Sequence, residues 1–397
     1  MFHLRGVRTD VVIDESFGAP VILHWGAPLG AVEPATIAAA LVRPRVSGSL
    51  DVIAPISLVP EHGSGFQGRP GLTGHRQGGV AWSPRFQPHS SAEVPGGVRI
   101  TAVDPVAELR LDCVITLGEV LTVQTTLTNE GTTRYLLDSL HPTLPFPAHA
   151  SELLTFDGRW TREMHPVRRP WGSGAWVSEN RAGRTSHEHP PLVFAGTPGF
   201  GEWQGEVWGV HVAWSGNHTM LADCLPDGRR YLQGGELLHP GEVCLESGES
   251  YQAPDVLATH SVNGLTAASW GFHRSLRANA VHPSSPRPVL LNTWEAVYFD
   301  QSTEKLQELA TAAAAIGVER FVLDDGWFGS RRSDRAGLGD WVVSPDAWPD
   351  GLHPLVDVVT GLGMQFGLWF EPEMVNPDSD VARAHPEWLL QPGGSSW

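Results

Sequence analysis

The sequence predicts a multidomain protein in which an all-β region precedes a parallel α/β region, and three observations predict it. Short runs of alternating apolar and polar residues, separated by Gly, Pro and Asn, extend from Val11 across the first two thirds of the chain. Residues 280–288 are rich in Pro and Ser and show no periodicity. Beyond them, short apolar runs alternate with helical patterns. We therefore divide the 397 residues into a β domain at 1–279, a linker at 280–288 and an α/β domain at 289–397.

The β domain shows its clearest strand pattern at residues 109–127. Apolar and polar residues alternate over 109–117, Gly118-Glu119 breaks the run, and the alternation resumes at Leu121. This pattern predicts an antiparallel hairpin of two half-buried strands. A second alternating run, residues 206–214, places on one face Trp208, Val210, Val212 and Trp214. Because such runs cover more residues than one ordinary sandwich uses, we expect an extended or doubled β-sandwich.

The α/β domain contains three short apolar runs, at 289–294, 320–324 and 365–370, each followed by a helical pattern. The first predicted helix has Ser302 as its N-cap and Gly317 as its stop signal. Its apolar residues recur at helical spacing, and they are Leu306, Leu309, Ala313 and Ile316.

A second predicted helix begins at Pro354, and its apolar face consists of Leu355, Val358, Val359 and Leu362. A third is predicted from Asp378 to Leu390, with Pro386 limiting its regularity. Strands that alternate with helices in this way predict βα units and a parallel sheet.

Composition and charge exclude several classes of function. Lys plus Arg number 27 and Asp plus Glu number 44, which gives a formal charge of −17. Nucleic-acid binders and proteins that dock on anionic lipid need a basic surface, so neither class fits. We find no run of 18 apolar residues, which predicts no transmembrane helix, and no apolar signal-peptide region at the start. These features and the sparse cysteines, Cys113, Cys224 and Cys244, predict a reducing, cytoplasmic location.

The candidate functional residues lie at the ends of the three predicted parallel strands. Ligands of parallel α/β sheets bind beyond the carboxyl ends of the strands. Three segments occupy that place, and each is dense in Trp and carboxylate: residues 292–296, 324–328 and 369–373. Indole rings are also the usual stacking surface for the apolar face of a sugar. Packing alone does not explain three strand ends with the same chemistry.

The adjacent carboxylates Asp324 and Asp325 are the most informative residues of these segments. A turn is the simpler interpretation, because Asp-Gly is a common turn dipeptide. Carboxylates at a strand end can, however, accept hydrogen bonds from ligand hydroxyls. Glu295, Glu371 and Glu373 accompany the indoles, and a buried unpaired carboxylate is costly, so a polar ligand or paired partners would relieve that cost. The residues alone therefore favour a sugar-binding site or a glycosidase that uses two of these carboxylates.

Sequence motifs of other kinds of active site are absent or weak. The sequence has no nucleophile elbow, His-Glu-x-x-His pair or phosphate-binding loop. His187-Glu-His189 has no spaced third ligand and is more typical of a solvated loop, so we predict no metal site. The Gly-rich segment 60–76 is predicted to be a long polar loop, with a functional role as a hypothesis.

These strand-end segments resemble the α-galactosidases of glycoside hydrolase family 36, the melibiase group. The matching text is Leu291-Asn-Thr-Trp-Glu-Ala296, Phe321-Val-Leu-Asp-Asp-Gly-Trp-Phe-Gly329, Gly339-Asp-Trp341, Pro349-Asp-Gly-Leu352 and Phe366-Gly-Leu-Trp-Phe-Glu-Pro-Glu-Met-Val375. Residues 205–217 also look like part of that family's N-terminal domain. The resemblance implies an N-terminal β-supersandwich followed by the first three βα units of a (β/α)8 TIM barrel.

The resemblance also implies an activity and site residues. The family hydrolyses terminal non-reducing α-D-galactosyl residues of oligosaccharides such as melibiose and raffinose with retention, without a metal or organic cofactor. By this resemblance Asp324 and Asp325 match the pair that binds the 4- and 6-hydroxyls of galactose. Trp294 and Trp369 match indoles that line the galactose pocket. The two adjacent aspartates would then determine which sugar binds and would not cleave the glycosidic bond.

The family's Asp nucleophile lies in a Lys-x-Asp segment at the end of the fourth barrel strand, and its Asp acid/base lies further along. We therefore expect no catalytic residue within this chain, with both lying beyond Trp397. We also expect the 397-residue chain alone to be inactive and its C-terminal third to be loosely folded or aggregation-prone. Three alternatives stay open: an α-N-acetylgalactosaminidase, a galactosyl-transferring relative, and a non-catalytic galactose-binding fragment. In many relatives the loop matching 60–76 helps to close a neighbouring subunit's site, so the full-length protein is expected to be a homo-oligomer, with a tetramer as the hypothesis.

Overall fold

The computed structural model describes residues 1–44, 47–48 and 53–390. It divides the chain into two compact units, Met1–His282 and Pro283–Trp397. Residues 391–397, at the end of the predicted α/β domain, lie outside the described residues.

The described part of the first unit consists mainly of β-strands. In chain order the strands are β1 (Phe2–Arg5), β2 (Asp10–Asp14), β3 (Val21–Gly26), β4 (Leu72–Arg76), β5 (Gln87–Val94), β6 (Gly97–Asp104), β7 (Leu109–Leu117), β8 (Leu121–Asn129), β9 (Tyr135–Leu140), β10 (Thr143–Phe146), β11 (Glu152–Arg159), β12 (Arg162–Pro170), β13 (Gly174–Asn180), β14 (Leu192–Gly196), β15 (Val207–Val212), β16 (His218–Cys224), β17 (Arg230–Glu236), β18 (Val243–Leu245), β19 (Ser250–Gln252) and β20 (Val256–Ser261). Two helices accompany them, α1 (Pro34–Ala40) and α2 (Gly264–Ala278).

These strands pair antiparallel in sheets of different size. The largest has ten strands, in the order β12-β11-β14-β15-β20-β8-β7-β6-β5 with β19 beside β8. A four-stranded sheet has the order β10-β17-β16-β13. Two three-stranded sheets have the orders β1-β2-β3 and β18-β9-β4. The N-terminal unit is therefore a multi-sheet antiparallel β structure.

The predicted hairpin of residues 109–127 is confirmed. β7 and β8 pair antiparallel from Leu109 opposite Asn129 to Leu117 opposite Leu121. Apolar residues of β7 are fully buried at alternate positions, and they are Leu109, Leu111, Cys113 and Ile115. These side chains join a core that also receives Leu144 of β10, Trp208 of β15 and Met220 of β16. Alternation thus directs one face of each sheet into a shared apolar interior.

The predicted apolar face of residues 206–214 is partly wrong. Trp208, Val210 and Val212 are buried as expected, but Val207 is buried as well, and Trp214 lies outside β15 and is 38 % exposed. Val207 packs with Leu265 and Ala268 of α2, whereas Trp208, Val210 and Val212 belong to the main core of the unit. Apolar residues on both faces of β15 are therefore covered, and strict alternation is not required.

The interpretation of residues up to Asn279 as strands alone is wrong in two places, because the structure has α1 and α2 there. Helix α2 buries Leu265, Ala268 and Gly271, which recur every three residues. That spacing is helical, and it continues directly after the last strand of the unit. Residues 280–288, the predicted linker, contain neither helix nor strand.

The interpretation of residues 60–76 as one long polar loop is wrong in its second half. Leu72–Arg76 forms β4, which pairs with β9. Leu72, Gly74 and Arg76 are buried in alternation with Thr73 and His75. The pattern is hard to recognise because one inward residue is an arginine. Its guanidinium donates to the Ala107 carbonyl and to Asn129 Oδ1, which satisfies the buried charge.

The second unit is built around a three-stranded parallel sheet. Its elements in chain order are β21 (Leu290–Asn292), α3 (Trp294–Val297), α4 (Thr303–Ala315), β22 (Arg320–Leu323), α5 (His353–Gly361), β23 (Gln365–Leu368) and α6 (Asp380–Ala384). The strand order is β21-β22-β23, and both pairings are parallel. Phe321 and Leu323 of β22 are fully buried in one core with residues of α4 and α5, among them Leu306 and Leu355.

Helix α4 begins and ends where the sequence predicts. The Ser302 side chain accepts a hydrogen bond from the Lys305 amide, and Gly317 adopts φ of +90° just beyond the last turn. The predicted apolar face is partly wrong, because Leu306 and Ala313 are buried but Ile316 is 81 % exposed beyond the end of the helix. Helix α5 likewise buries Leu355 and Val359 but leaves Leu362 exposed.

The cap of α4 yields a stability prediction. We expect Ser302→Ala to lower the free energy of unfolding of this unit by about 1 kcal/mol, because the Lys305 amide loses its acceptor. Urea unfolding measures the change. Ser302→Asp is the matched control: it keeps an acceptor at the cap, and a loss as large as that of Ser302→Ala would contradict the capping role.

The predicted third helix, Asp378–Leu390, is much shorter in the structure. Helix α6 spans Asp380–Ala384, and a single 3-10 turn follows at Pro386–Trp388. Pro386 has no amide hydrogen and disfavours helical geometry at His385, so the helix ends there.

Among the described residues, no helix is both long and apolar enough to cross a membrane. The cysteines are free, and Cys113 and Cys224 are buried.

Candidate functional site

The parallel sheet brings three strand ends to one edge. Leu290 lies opposite Arg320, and Arg320 lies opposite Gln365, so the three strands run in register. The chain leaves this edge at Asn292, Asp324 and Trp369. We call this region, with the side chains that follow each strand, the carboxyl edge.

Asp324 is held by two side chains of the neighbouring strand end and by the residue that follows it. It is 6 % exposed, and its Oδ2 accepts a hydrogen bond from Asn292 Nδ2 on the neighbouring strand. Its own amide donates to Thr293 Oγ1 over 3.0 Å. Its Oδ1 accepts from the Asp325 amide over 2.7 Å. The carboxylate therefore stays fixed although it is buried, because charge-assisted hydrogen bonds replace water.

A tight turn follows the two aspartates and requires glycine. Gly326 has φ of +107°, a region that other residues rarely adopt. A Cβ at this position would lie 3.1 Å from Gln301 Nε2. That amide group donates to the backbone carbonyls of Asp324 and Asp325. Gln301 thereby fastens the backbone of the aspartate pair.

Asp325 forms a buried ion pair with Arg331. Arg331 Nε donates to Asp325 Oδ1 over 2.9 Å, and Arg331 Nη2 donates to Asp325 Oδ2 over 2.8 Å. The two side chains are 6–7 % exposed. This fork geometry fixes the orientation of the carboxylate as well as its charge. Asp325 Oδ2 also accepts from Arg331 Nε over 3.1 Å, so Oδ1 is the oxygen that keeps a second lone pair for a ligand hydroxyl.

Arg331 is itself held by two further side chains. Its Nη1 donates to Asn376 Oδ1 over 2.9 Å. Its guanidinium carbon lies 5.6 Å from the centre of the Phe299 ring, within the range of a cation–π contact. Asp325, Arg331 and Asn376 thus form one chain of contacts, from the end of β22 to the loop before α6.

The structure places both predicted indoles on the carboxyl edge. Trp294 follows β21, and its amide donates to Asn292 Oδ1, the same side chain that contacts Asp324. Trp369 follows β23, and its amide donates to the Leu323 carbonyl next to Asp324. The Trp369 carbonyl accepts from Trp327 Nε1 over 3.0 Å. Both indoles are half-buried, so each keeps an accessible ring surface.

The three glutamates of the strand ends have a different environment from the one predicted. Glu295 and Glu373 are exposed, and Glu371 is half-buried with its Oε2 accepting from the Met374 amide. Glu295 Oε2 accepts from the Tyr298 hydroxyl. Their burial therefore calls for no ligand, and the buried acidic groups of this edge are the two aspartates.

Sequence reasoning missed the residues that support the aspartates, namely Arg331, Gln301, Thr293 and Asn376. One signal could have revealed Arg331. A buried carboxylate needs a nearby cationic partner, and cationic residues are the minority here, 27 against 44 acidic ones. Arg331 comes only six residues after Asp325, so it was a candidate. Asn376 carries no such signal, because it lies 45 residues further along.

The carboxyl edge has the chemistry of a neutral polyol site. Two buried carboxylates offer only acceptors, and half-buried indole rings lie at the neighbouring strand ends. A ligand that donates several hydroxyl hydrogens and presents an apolar face fits both. Over the described ranges, no group of three or more His, Cys, Asp or Glu residues is arranged to hold a metal ion.

Two family models match the chain. The Glycosyl hydrolase family 36 N-terminal domain matches residues 18–246, and Melibiase matches residues 250–396. The first covers more than half of the chain.

Curated relatives agree with these models. An alpha-galactosidase of Escherichia coli is 44% identical over 398 residues, which cover 99% of this chain and 56% of that protein. Alpha-galactosidase AgaA of Geobacillus stearothermophilus is 39% identical over 277 residues, which cover 68% of this chain and 38% of that protein. The chain thus spans little more than half the length of the Escherichia coli protein.

Solved structures show the same similarity. A variant of AgaA from Geobacillus stearothermophilus in complex with 1-deoxygalactonojirimycin superposes with a TM-score of 0.90 and 29% identity, over 100% of this chain and 60% of that chain. The alpha-galactosidase from Lactobacillus brevis also gives a TM-score of 0.90, at 25% identity, over 100% of this chain and 58% of that chain.

Proposed function

Because this chain belongs to glycosyl hydrolase family 36, we propose that it supplies the sugar-recognising part of a retaining α-galactosidase. In this proposal the full-length protein hydrolyses terminal non-reducing α-D-galactosyl residues of oligosaccharides such as melibiose and raffinose. The observation that carries the proposal is the carboxyl edge, where two adjacent buried carboxylates lie beside half-buried indoles.

Each residue has a proposed role. Asp324 and Asp325 accept hydrogen bonds from the 4- and 6-hydroxyls of galactose, and Trp294 and Trp369 line the pocket. Sugar recognition by buried carboxylates discriminates strongly, because an epimer with a displaced hydroxyl leaves an acceptor unpaired. Bond cleavage is assigned to none of these residues.

The proposed domain assignment follows the two units. Residues 1–279 form the β-supersandwich, residues 280–288 the linker, and residues 289–397 the first three βα units of a (β/α)8 catalytic barrel. Three parallel strands with intervening helices in the second unit support the last assignment. In a barrel of this kind active sites lie at the carboxyl ends of the strands, which is where the aspartates are.

The proposed substrates are α-galactoside oligosaccharides. Solved structures of AgaA variants, each similar to this chain at 29% identity, are complexes with raffinose and with stachyose. Homo-oligomerisation of the full-length protein, with a tetramer as the hypothesis, stays a prediction from the resemblance, as does the cytoplasmic location.

The test is the binding of methyl α-galactoside to the chain, followed by tryptophan fluorescence and calorimetry. We expect Asp324→Asn to weaken binding 10- to 100-fold, because a hydrogen bond to a charged acceptor contributes about 1.5–3 kcal/mol. Asp357→Asn, on the exposed side of α5, is the matched control and should bind as the unaltered chain does. Equal affinity of all three proteins would contradict the assignment of Asp324 to galactose recognition.

A further inference from the structure

Tyr298 adopts a backbone conformation that residues other than glycine rarely adopt. Its φ is +49° and its ψ is −123°. The Asp300 amide donates to the Val297 carbonyl over 2.9 Å, so residues 297–300 form a β-turn in which Tyr298 is the first central residue. These dihedral angles are those of a type II′ turn, where glycine is the usual residue at this position. A tyrosine there costs free energy, and backbone strain of this kind concentrates at functional sites.

The turn places two aromatic rings against the Trp294 indole. The centre of the Tyr298 ring lies 5.1 Å from the centre of the indole, at an interplanar angle of 79°. The centre of the Phe299 ring lies 5.2 Å from it, at 87°. Both are edge-to-face contacts, a favourable geometry for aromatic pairs. Because Tyr298 and Phe299 are the two central residues of the turn, its conformation brings both rings to the same indole.

Each of these two rings is itself held in place. The Tyr298 hydroxyl donates to Glu295 Oε2 over 3.0 Å. The guanidinium carbon of Arg331 lies 5.6 Å from the centre of the Phe299 ring. Arg331 is also the side chain that orients the Asp325 carboxylate. The turn therefore connects the indole to the support of the aspartate pair.

The Trp294 side chain has few other contacts that could fix it. Among the described residues, its indole N–H forms no hydrogen bond, and the bond to Asn292 Oδ1 comes from its backbone amide. Trp369 packs against the hydrophobic core of the second unit, whereas Trp294 is not among the side chains of that core. The orientation of the Trp294 indole therefore depends mainly on the rings of Tyr298 and Phe299.

We propose that Tyr298 is a positioning residue, whose ring holds the Trp294 indole in the orientation that packs on the apolar face of galactose. This inference rests on the proposed function, which places Trp294 in the galactose pocket. A glycine would suit the turn better, because it adopts a positive φ without strain. It would, however, leave the indole with one of its two aromatic contacts. The strained tyrosine thus lowers the stability of the turn and fixes the indole.

The test compares three variants of Tyr298 in the full chain by calorimetric titration with methyl α-galactoside. We expect Tyr298→Leu, which keeps the strained backbone and loses the aromatic ring, to weaken binding at least fivefold. Tyr298→Phe keeps the ring and should retain most of the affinity. Tyr298→Gly should bind as weakly as Tyr298→Leu, although its urea midpoint should be higher, because the strain is relieved. A more stable variant that still binds weakly separates positioning from stability.

Met164→Gly is the matched control for relieved strain. Met164 is another residue other than glycine with a positive φ, +53°, and it lies in the first unit. This variant should bind methyl α-galactoside as the unaltered chain does.

A measurement without sugar observes the Trp294 indole itself. A chain labelled with 5-fluorotryptophan gives a fluorine-19 resonance for each indole, and Trp294→Phe identifies the resonance of Trp294. We expect that resonance to be single and sharp in the unaltered chain and in Tyr298→Phe. It should be broadened or split in Tyr298→Leu and Tyr298→Gly, because a released indole samples several orientations.

Three results would overturn the proposal. The first is unchanged sugar affinity in Tyr298→Leu, and the second is a Trp294 resonance that stays single and sharp in that variant. The third is an equal loss of affinity in Tyr298→Phe and Tyr298→Leu, since the loss would then follow the hydroxyl and not the ring. If the unaltered chain bound no methyl α-galactoside, the proposed function would fail, and the fluorine resonance would still decide whether Tyr298 holds the indole.

Discussion

Replacing Arg331 with Met is expected to lower the free energy of unfolding of the second unit by about 3–5 kcal/mol, because it leaves Asp325 buried without its charge partner. The same change is expected to weaken galactose binding at least tenfold. Without the two N–H groups of the fork, the Asp325 carboxylate loses its orientation toward a ligand. Urea unfolding and methyl α-galactoside titration measure the two effects.

Two control variants separate the effect of the Asp325–Arg331 ion pair from the effect of removing any arginine. Arg335→Met removes an exposed arginine from the same loop and should change neither quantity. The double variant Asp325→Leu with Arg331→Met removes both charges and should recover part of the stability, because a buried apolar pair avoids the uncompensated charge. It should not recover galactose binding. A stability loss in Arg331→Met no larger than that in Arg335→Met would contradict the account of the ion pair.

Removing the charge of Glu61 is expected to stabilise the first unit at alkaline pH. Glu61 is 5 % exposed, and its Oε1 has no hydrogen-bond partner among the described residues. Burial is the largest cause that raises the pKa of this carboxyl to about 8, against the lowering effect of the Phe86 and Ala19 amides. Gln has nearly the same shape and no charge, so Glu61→Gln resembles the protonated side chain.

The pH dependence follows from the direction of the shift. The folded state holds the Glu61 proton up to about pH 8, whereas the unfolded chain releases it near 4.5. Stability from this group is therefore fully present below pH 4.5 and is lost as pH rises toward 8. One pKa unit corresponds to about 1.4 kcal/mol, so the loss between pH 6 and pH 9 is about 2–3 kcal/mol.

Urea unfolding at pH 6 and pH 9 tests the Glu61 prediction. We expect the stability of Glu61→Gln relative to the unaltered chain to increase by about 2–3 kcal/mol between the two pH values. The exposed Glu93→Gln is the matched control, and its relative stability should be the same at both. A relative stability of Glu61→Gln that does not change with pH would show that the Glu61 carboxyl titrates alike in both states.

Local patterns predicted the elements that position the carboxyl edge. The apolar runs at 289–294, 320–324 and 365–370 become three parallel strands, and the cap at Ser302 begins α4 as expected. These features depend on neighbouring residues, so one sequence is enough to recognise them. The aspartate pair and the two indoles could be placed on one edge because parallel strands end together.

Long-range pairing explains what sequence reasoning missed. Arg76 is buried because its guanidinium meets carbonyls and an amide far along the chain, and this hides the alternation of β4. Asn376 supports Arg331 across 45 residues. Neither partner is visible in local periodicity, since each depends on how distant segments pack. Helix α2 is a different case, because its helical spacing is visible in the sequence but follows a long series of strands.

The most direct test of the carboxyl edge is calorimetric titration of the chain with galactose and with glucose, its 4-epimer. The account predicts that galactose binds and that glucose binds at least 100-fold more weakly, because its equatorial 4-hydroxyl leaves a buried carboxylate unpaired. Equal affinity for the two sugars, or no binding of galactose, would contradict the assignment of Asp324 and Asp325 to galactose recognition.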